Sequence, residues 1–265
     1  METPSPAPVV VRVEGLVKRF DDKTVVDGLT LDVRAGEWFA FLGPNGSGKS
    51  TTIRMMTGML APTSGRLEVL GLDPVAYPLE VKRRIGFMPE EPLLYERLTP
   101  RETLRFVGPL HGLSVEETDR RAKEIFDLLE LSEADQDRFI IDFSMGMRKK
   151  VSLAAALIHG PRILFLDEPF NGIDAVTTRA IKDALATAVA KGVSVFFSSH
   201  VLEQAERLCS RIAVISKGRL QAHGTLADVR AAAGVAEGAS LEEAFVKLVG
   251  GDRPASSGGG LGFLG

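Results

Sequence analysis

Apolar and polar residues alternate along VVVRVEGL (9–16) and again along LTLDVRAGE (29–37), the period-two pattern of strands with one wet face. The turn-rich FDDKTVVDG between them predicts an antiparallel beginning. WFAFLG (38–43) is a short continuous apolar run ending in glycine, as expected of a parallel strand buried on both faces. A helix follows in SGKSTTIRMMTGML, where Ile53, Met56, Met59 and Leu60 recur at helical spacing until APTSG stops it. GRLEVLG reads as another strand, LEVKRRI as a short helix, and GFMPEEPLLYERLT as a stretch of turns.

From Pro100 to Leu131 the pattern changes to the period of amphipathic helices, with no strand in PRETLRFVGPL or SVEETDRRAKEIFDLLEL. Beyond it VSLAAALIHG continues a helix of nearly buried character. PRILFLDEP and VSVFFSSH are two more apolar strands separated by the helix TTRAIKDALATAVAKG, an order that demands a parallel sheet. RIAVISKGRLQAHG predicts a hairpin and SLEEAFVKLVGG a last short helix. The closing GDRPASSGGGLGFLG is glycine-rich and is expected to be disordered.

Composition narrows the class. A chain of 265 residues with 45% hydrophobic content can fill one sizeable α/β domain carrying an insertion. The balance of 32 Lys and Arg against 35 Asp and Glu argues against a polyanion such as nucleic acid as main partner. The lone Cys209 cannot pair within the chain and reads as a buried structural thiol in a cytosolic protein. METPSPAPVVVRVEG lacks the features of a signal peptide, and no window approaches about 18 consecutive apolar residues. Any membrane role is therefore expected to need a separate partner chain.

The strongest chemical signal is Gly43, Pro44, Asn45, Gly46, Ser47, Gly48, Lys49, Ser50, which fits G-x-x-x-x-G-K-[ST] between a strand and a helix. The glycines let backbone N–H groups turn inward around phosphate oxygens, and the helix N-terminus adds partial positive charge. Lys49 reaches the β and γ phosphates and the Ser50 hydroxyl coordinates Mg²⁺, with Thr51 beside it in the phosphate-binding set. ILFLDE then sets Asp167 and Glu168 at the C-terminal end of an apolar strand, where doubly wound sheets bind ligands. Asp167 is expected to hold Mg²⁺ through water, and Glu168 to orient or deprotonate the attacking water. His200 closes the next strand on the same edge, where a γ-phosphate contact is feasible.

With the phosphate loop, FSMGMRKKVSLAAALI, ILFLDEP and FFSSH in this order, the chain resembles the nucleotide-binding subunits of ATP-binding cassette (ABC) transporters over roughly residues 8 to 230. FSMGM and LEEAFVKLVGG make it most similar to the stand-alone bacterial cassettes that power exporters. The resemblance implies a P-loop NTPase core of α/β class with a mainly parallel sheet, an N-terminal antiparallel β-subdomain and an inserted α-helical subdomain. The expected division is 1–90 and 151–235 for the core, 91–150 for the helical signature subdomain, and 236–265 for the C-terminal helix and tail.

It also implies roles that spacing does not give. Phe20 falls where the family stacks an aromatic ring on adenine, and Asp174 where a loop meets the opposite subunit across the ATP. FSMGM occupies the place of the signature Leu-Ser-Gly-Gly-Gln. There Ser144 and Gly146 face the γ-phosphate bound by the other subunit, in a head-to-tail dimer enclosing two ATP molecules. Met145 and Met147 replace a glycine and the glutamine, and packing is the role expected of both. Glu90 stands where the family has glutamine touching Mg²⁺ and water; a carboxylate remains an oxygen ligand but adds negative charge near the γ-phosphate. Leu94 and Tyr95 lie where a helix of the membrane subunit docks.

The implied protein is an ATPase subunit using ATP and Mg²⁺, a homodimer peripheral on the cytoplasmic face of the membrane through an integral membrane transporter subunit. A soluble cassette acting on nucleic acid or the ribosome is the alternative, though the chain has neither a basic stripe, coiled coils nor two fused cassettes. A GTPase switch lacks its NKxD motif here, and a sensor without turnover would not need Glu168.

Overall fold

The computed structural model describes residues 7–250, so the glycine-rich tail expected to be disordered lies outside the described residues. Strands β1 (Val9–Phe20) and β2 (Lys23–Arg34) pair antiparallel, and their two-residue turn is set by Asp21 at φ 49°. FDDKTVVDG is thus mostly strand rather than a long turn: only Asp21 and Asp22 turn, and Val26 is buried. After β3 (Trp38–Leu42) comes helix α1 (Lys49–Met56), which stops earlier than its apolar spacing suggests. Gly58 takes φ 68° just beyond it, which leaves Met59 exposed. β4 (Ser64–Val69) joins β1 and β2 in a three-stranded sheet ordered β2-β1-β4.

A short α2 (Pro78–Lys82) leads to β5 (Ile85–Met88), a strand where the local turn signals predict none. Its four residues pair parallel to β6 (Ile163–Leu166), a partner almost eighty positions away that local pattern cannot reveal. Between them lie α3 (Pro100–Leu110), α4 (Val115–Leu128), α5 (Glu133–Gln136) and α6 (Met145–Leu157), the strand-free helical stretch expected. Thr99, Ser114, Ser132 and Ser144 each cap the helix they precede by accepting a backbone N–H. Then follow α7 (Ala175–Ala190), β7 (Ser194–Ser199), α8 (Leu202–Leu208), β8 (Arg211–Ser216), β9 (Arg219–Gly224), α9 (Leu226–Ala233) and α10 (Leu241–Gly250).

The second sheet has the order β5-β6-β7-β3-β8-β9, parallel except for the final hairpin strand. Period-two alternation divides the core between its two faces. Phe39, Phe41, Ile163, Phe165 and Phe196 pack toward the antiparallel sheet and α1. Ala40, Leu42, Leu164, Leu166, Val195 and Phe197 pack toward the helices. Both faces are dry, which is why these strands read as unbroken apolar runs. Cys209 is a buried free thiol whose ionisation burial pushes up. Met147 packs against the helical core as expected, whereas Met145 is 44% exposed and does not.

Candidate active site

Strands β3, β6 and β7 run parallel, so Gly43, Asp167 and His200 all emerge from one edge of the sheet. The loop from Gly43 to Gly48 is held tightly. Gly46 and Gly48 have φ 76° and 105°, and a Cβ on Gly48 would lie 2.8 Å from the Val25 carbonyl oxygen. Gly43 is equally hemmed in by Ile215 and Ser47. From the far end of the chain the turn Lys217–Gly218 braces the loop: the Gly218 amide donates to Ser47 O (3.1 Å) and its carbonyl accepts from the Asp27 amide (2.9 Å).

A cavity of about 640 Å³ opens over this loop, lined by Asn45, Gly46, Gly48, Lys49, Ser50 and Thr51, with Glu90, Glu168, Lys23, Thr24, Val25, Lys217 and Gly218. Inside it Lys49 Nζ donates to Gly43 O (2.8 Å) and Pro44 O (3.4 Å) and lies 3.3 Å from Glu168 Oε1. A buried ammonium satisfied only by loop carbonyls and one carboxylate is poised to exchange them for phosphate oxygens. The Ser47 hydroxyl is buried without a partner among the described residues. That orphan, the left-handed glycines and the ammonium fit a polyphosphate. For Mg²⁺, no group of three or more His, Cys, Asp or Glu side chains is gathered among the described residues. An octahedral ion that keeps waters and phosphate oxygens needs few protein ligands, and Ser50, Asp167 and Glu90 offer the oxygen chemistry it prefers.

Glu168 is restrained on every side. Its backbone is left-handed at φ 46°, unusual for a residue with a side chain. The amide donates to Ser198 Oγ (2.9 Å), and the same hydroxyl donates to Asp167 Oδ1 (2.6 Å). The Glu168 carbonyl accepts from Lys149 Nζ (2.7 Å). Of its carboxylate oxygens, Oε1 faces Lys49 and Oε2 lies 3.0 Å from His200 Nδ1. A carboxylate can only accept, so Nδ1 carries the proton and His200 orients the carboxylate. Glu90 Oε1 accepts from Asn171 Nδ2 (3.2 Å).

Several expected residues stay apart from this cavity. Phe20 is 44% exposed, and the Lys18 ammonium covers its ring at 4.9 Å from the centroid. Ser144 caps α6, its Oγ accepting from the Met147 amide (3.3 Å). Asp174 caps α7, accepting from Thr177 N (2.9 Å) and Thr177 Oγ1 (2.8 Å), and these bonds hold its carboxyl below the usual range. Gly146 is a close contact between the two helices: a Cβ there would lie 2.9 Å from Thr177 Oγ1. Lys149, Ser198 and Asn171 are the residues that sequence reasoning missed. For Ser198 the signal was its period-two relation to His200; for Lys149 it was its helical spacing from Gly146.

A second cavity, of about 480 Å³, is mainly apolar and lies where Leu94 and Tyr95 meet Phe87, Phe106, His111 and His159. The two histidine rings stack with centroids 3.8 Å apart. His159 Nε2 donates to Ile85 O (2.9 Å), which leaves its buried Nδ1 unpartnered among the described residues. Burial, and then the neighbouring His111, push His159 down to about 4.

A family model described as ABC transporter matches residues 26–171. The linearmycin resistance ATP-binding protein LnrL of Bacillus subtilis (strain 168) is 37% identical over 220 residues, which cover 83% of this chain and 70% of that protein. A solved structure of the ATP-binding subunit of an ABC transporter superposes with a TM-score of 0.84 at 35% identity, covering 90% of this chain and 99% of that one. A dimeric structure of a bacterial ABC transporter cassette matches with a TM-score of 0.74 at 25% identity, over 82% of this chain and 98% of that one.

Proposed function

The chain belongs to the ABC transporter family as an ATP-binding subunit of exporter type, and on that premise we propose that it binds MgATP, closes head to tail on a second copy, and by hydrolysis drives a separate membrane-spanning subunit. One observation carries the reading: Glu168 is suspended between Lys49 and His200 at the mouth of the phosphate cavity. When polyphosphate enters, Lys49 gives up the loop carbonyls and Glu168 for phosphate oxygens. The freed carboxylate, still held by His200, takes a proton from the attacking water. The N-terminus of α1 adds its partial charge beneath the phosphates. Ser50, Asp167 and Glu90 would hold Mg²⁺, which when bound would supply positive charge against the phosphate oxygens.

Closure is supported by what the cavity lacks. Ser144 and Asp174 sit apart from it at the N-termini of α6 and α7, with Gly146 buried between the two helices. There they can complete the phosphate site of an opposing copy, and Phe20 can exchange Lys18 for adenine. We assign 91–150 as the helical signature subdomain and 1–90 with 151–235 as the core. No described helix is long and apolar enough to cross a membrane; contact with the bilayer is assigned to the partner. The apolar cavity beside Leu94 and Tyr95 is the docking place assigned to it.

Replacing Glu168 with Gln tests the reading. Phosphate release should fall to background while ATP now holds two copies together on a sizing column. Turnover at the wild-type rate overturns the mechanism.

A further inference from the structure

Lys149 is 1% exposed, among the most deeply buried large side chains of the molecule. Its ammonium makes two short hydrogen bonds, to Glu168 O (2.7 Å) and to Asn171 O (2.7 Å). Both acceptors are backbone carbonyls of the turn that follows β6, and this turn holds Glu168 in its left-handed conformation. The lysine itself belongs to α6, three residues after Gly146, where α6 touches Thr177 of α7. Burial lowers its affinity for a proton, and the carboxylates of Glu90, Glu168 and Asp167 oppose that. Burying an ammonium is costly unless it is bonded. Apolar packing alone would be met by Leu or Met at this position.

We propose that Lys149 is a positioning residue: by clamping the carbonyls of Glu168 and Asn171 it fixes the direction of the catalytic carboxylate and ties that direction to the signature helix. Asn171 also donates to Glu90, so the clamp reaches the carboxylate that stands in place of the family's glutamine. Lys149 is then the charge that balances Glu90 beside the phosphate cavity. Through it a displacement of α6 by an opposing copy is felt at Glu168 of the same chain. The inference rests on hydrolysis at Glu168, and wild-type turnover measured in parallel separates its failure from failure of that reading.

The experiment compares Lys149→Met and Lys149→Arg in the full chain, reading kcat and, separately, affinity for a fluorescent ADP analogue at the Lys49 site. Met keeps the stem and loses both donors; kcat should fall about tenfold or more, equivalent to ~1.4 kcal/mol of transition-state stabilisation. Nucleotide affinity should stay within about twofold. Arg keeps the charge and the donors, and should recover most of kcat. If Met does not fold, Lys149→Gln, with a shorter donor, carries the same expectation. Turnover of Met or Gln within about twofold of wild type overturns the proposal. So does a parallel loss of nucleotide affinity, or an Arg variant no better than Met.

Discussion

Lys49 Nζ lies 3.3 Å from Glu168 Oε1, with the two side chains 6% and 7% exposed, so the cation proposed to grip phosphate and the carboxylate proposed to activate water are paired with each other. The pair keeps each charge tolerable while buried. Lys49→Ala removes the cation, and nucleotide affinity should fall by about a hundredfold, the weight of one or two charge-assisted bonds. Isothermal titration with ATP and Mg²⁺ measures it. Affinity within about threefold of wild type would show that the backbone cradle alone binds the phosphates.

Gly146 leaves no room for a methyl group, since its Cβ would meet Thr177 Oγ1 at 2.9 Å and Cγ2 at 3.0 Å. Thr177 is stiff about χ1 and is held by Asp174. Gly146→Ala should therefore destabilise by about 1 kcal/mol despite the better helix propensity of alanine, lowering Tm by about 2–4 °C. Thr177→Ala in the same chain should return part of that loss, a coupling of about 0.5 kcal/mol or more read from a double-mutant cycle in urea. Additive losses would show that the contact is not the cause.

Glu90→Gln retains the oxygen that accepts from Asn171 and removes a negative charge from the cavity wall. Less repulsion of the phosphates should lower KM for ATP, with kcat at least that of wild type. Steady-state phosphate release decides; a collapse of kcat would give the carboxylate a specific role.

His159 supplies a pH dependence. Its proton affinity in the folded chain, about 4, lies below the ordinary 6.5, so the unfolded chain binds more protons between these values. Stability is then full above about pH 6.5 and is lost as pH falls toward 4, by on the order of 2 kcal/mol. His159→Gln can still donate to Ile85 O, and its Tm should fall less steeply over this window than that of wild type. Parallel curves would clear His159 of any part in acid sensitivity.

The sheet, the phosphate loop and the carboxylates at the strand end were legible because each is written in contiguous residues: an apolar strand, then Gly43 to Ser50, or Asp167 and Glu168 closing ILFLDE. β5 was not, because four residues flanked by turn formers become a strand only when β6 offers its edge. Lys149 read as one cation of a basic run, since its burial depends on a turn nineteen or more positions away. The exposed Met145 was expected inside for lack of any local cue to which face of α6 would be covered. Phe20, read into the connecting turn, instead ends β1, and its cover by Lys18 is a matter of side-chain reach.

β3 lies in the interior of the larger sheet with β7 and β8 as its two neighbours, and the turn bracing the phosphate loop is Lys217–Gly218. On the ribosome, then, the loop leaves the exit tunnel long before the turn that braces it. The strand emerges with both hydrogen-bonding edges open, and its two partners and the brace on the loop arrive only when most of the chain has been made. ATP is in that sense a ligand for the finished protein, a late seal on assembly rather than an early guide to it.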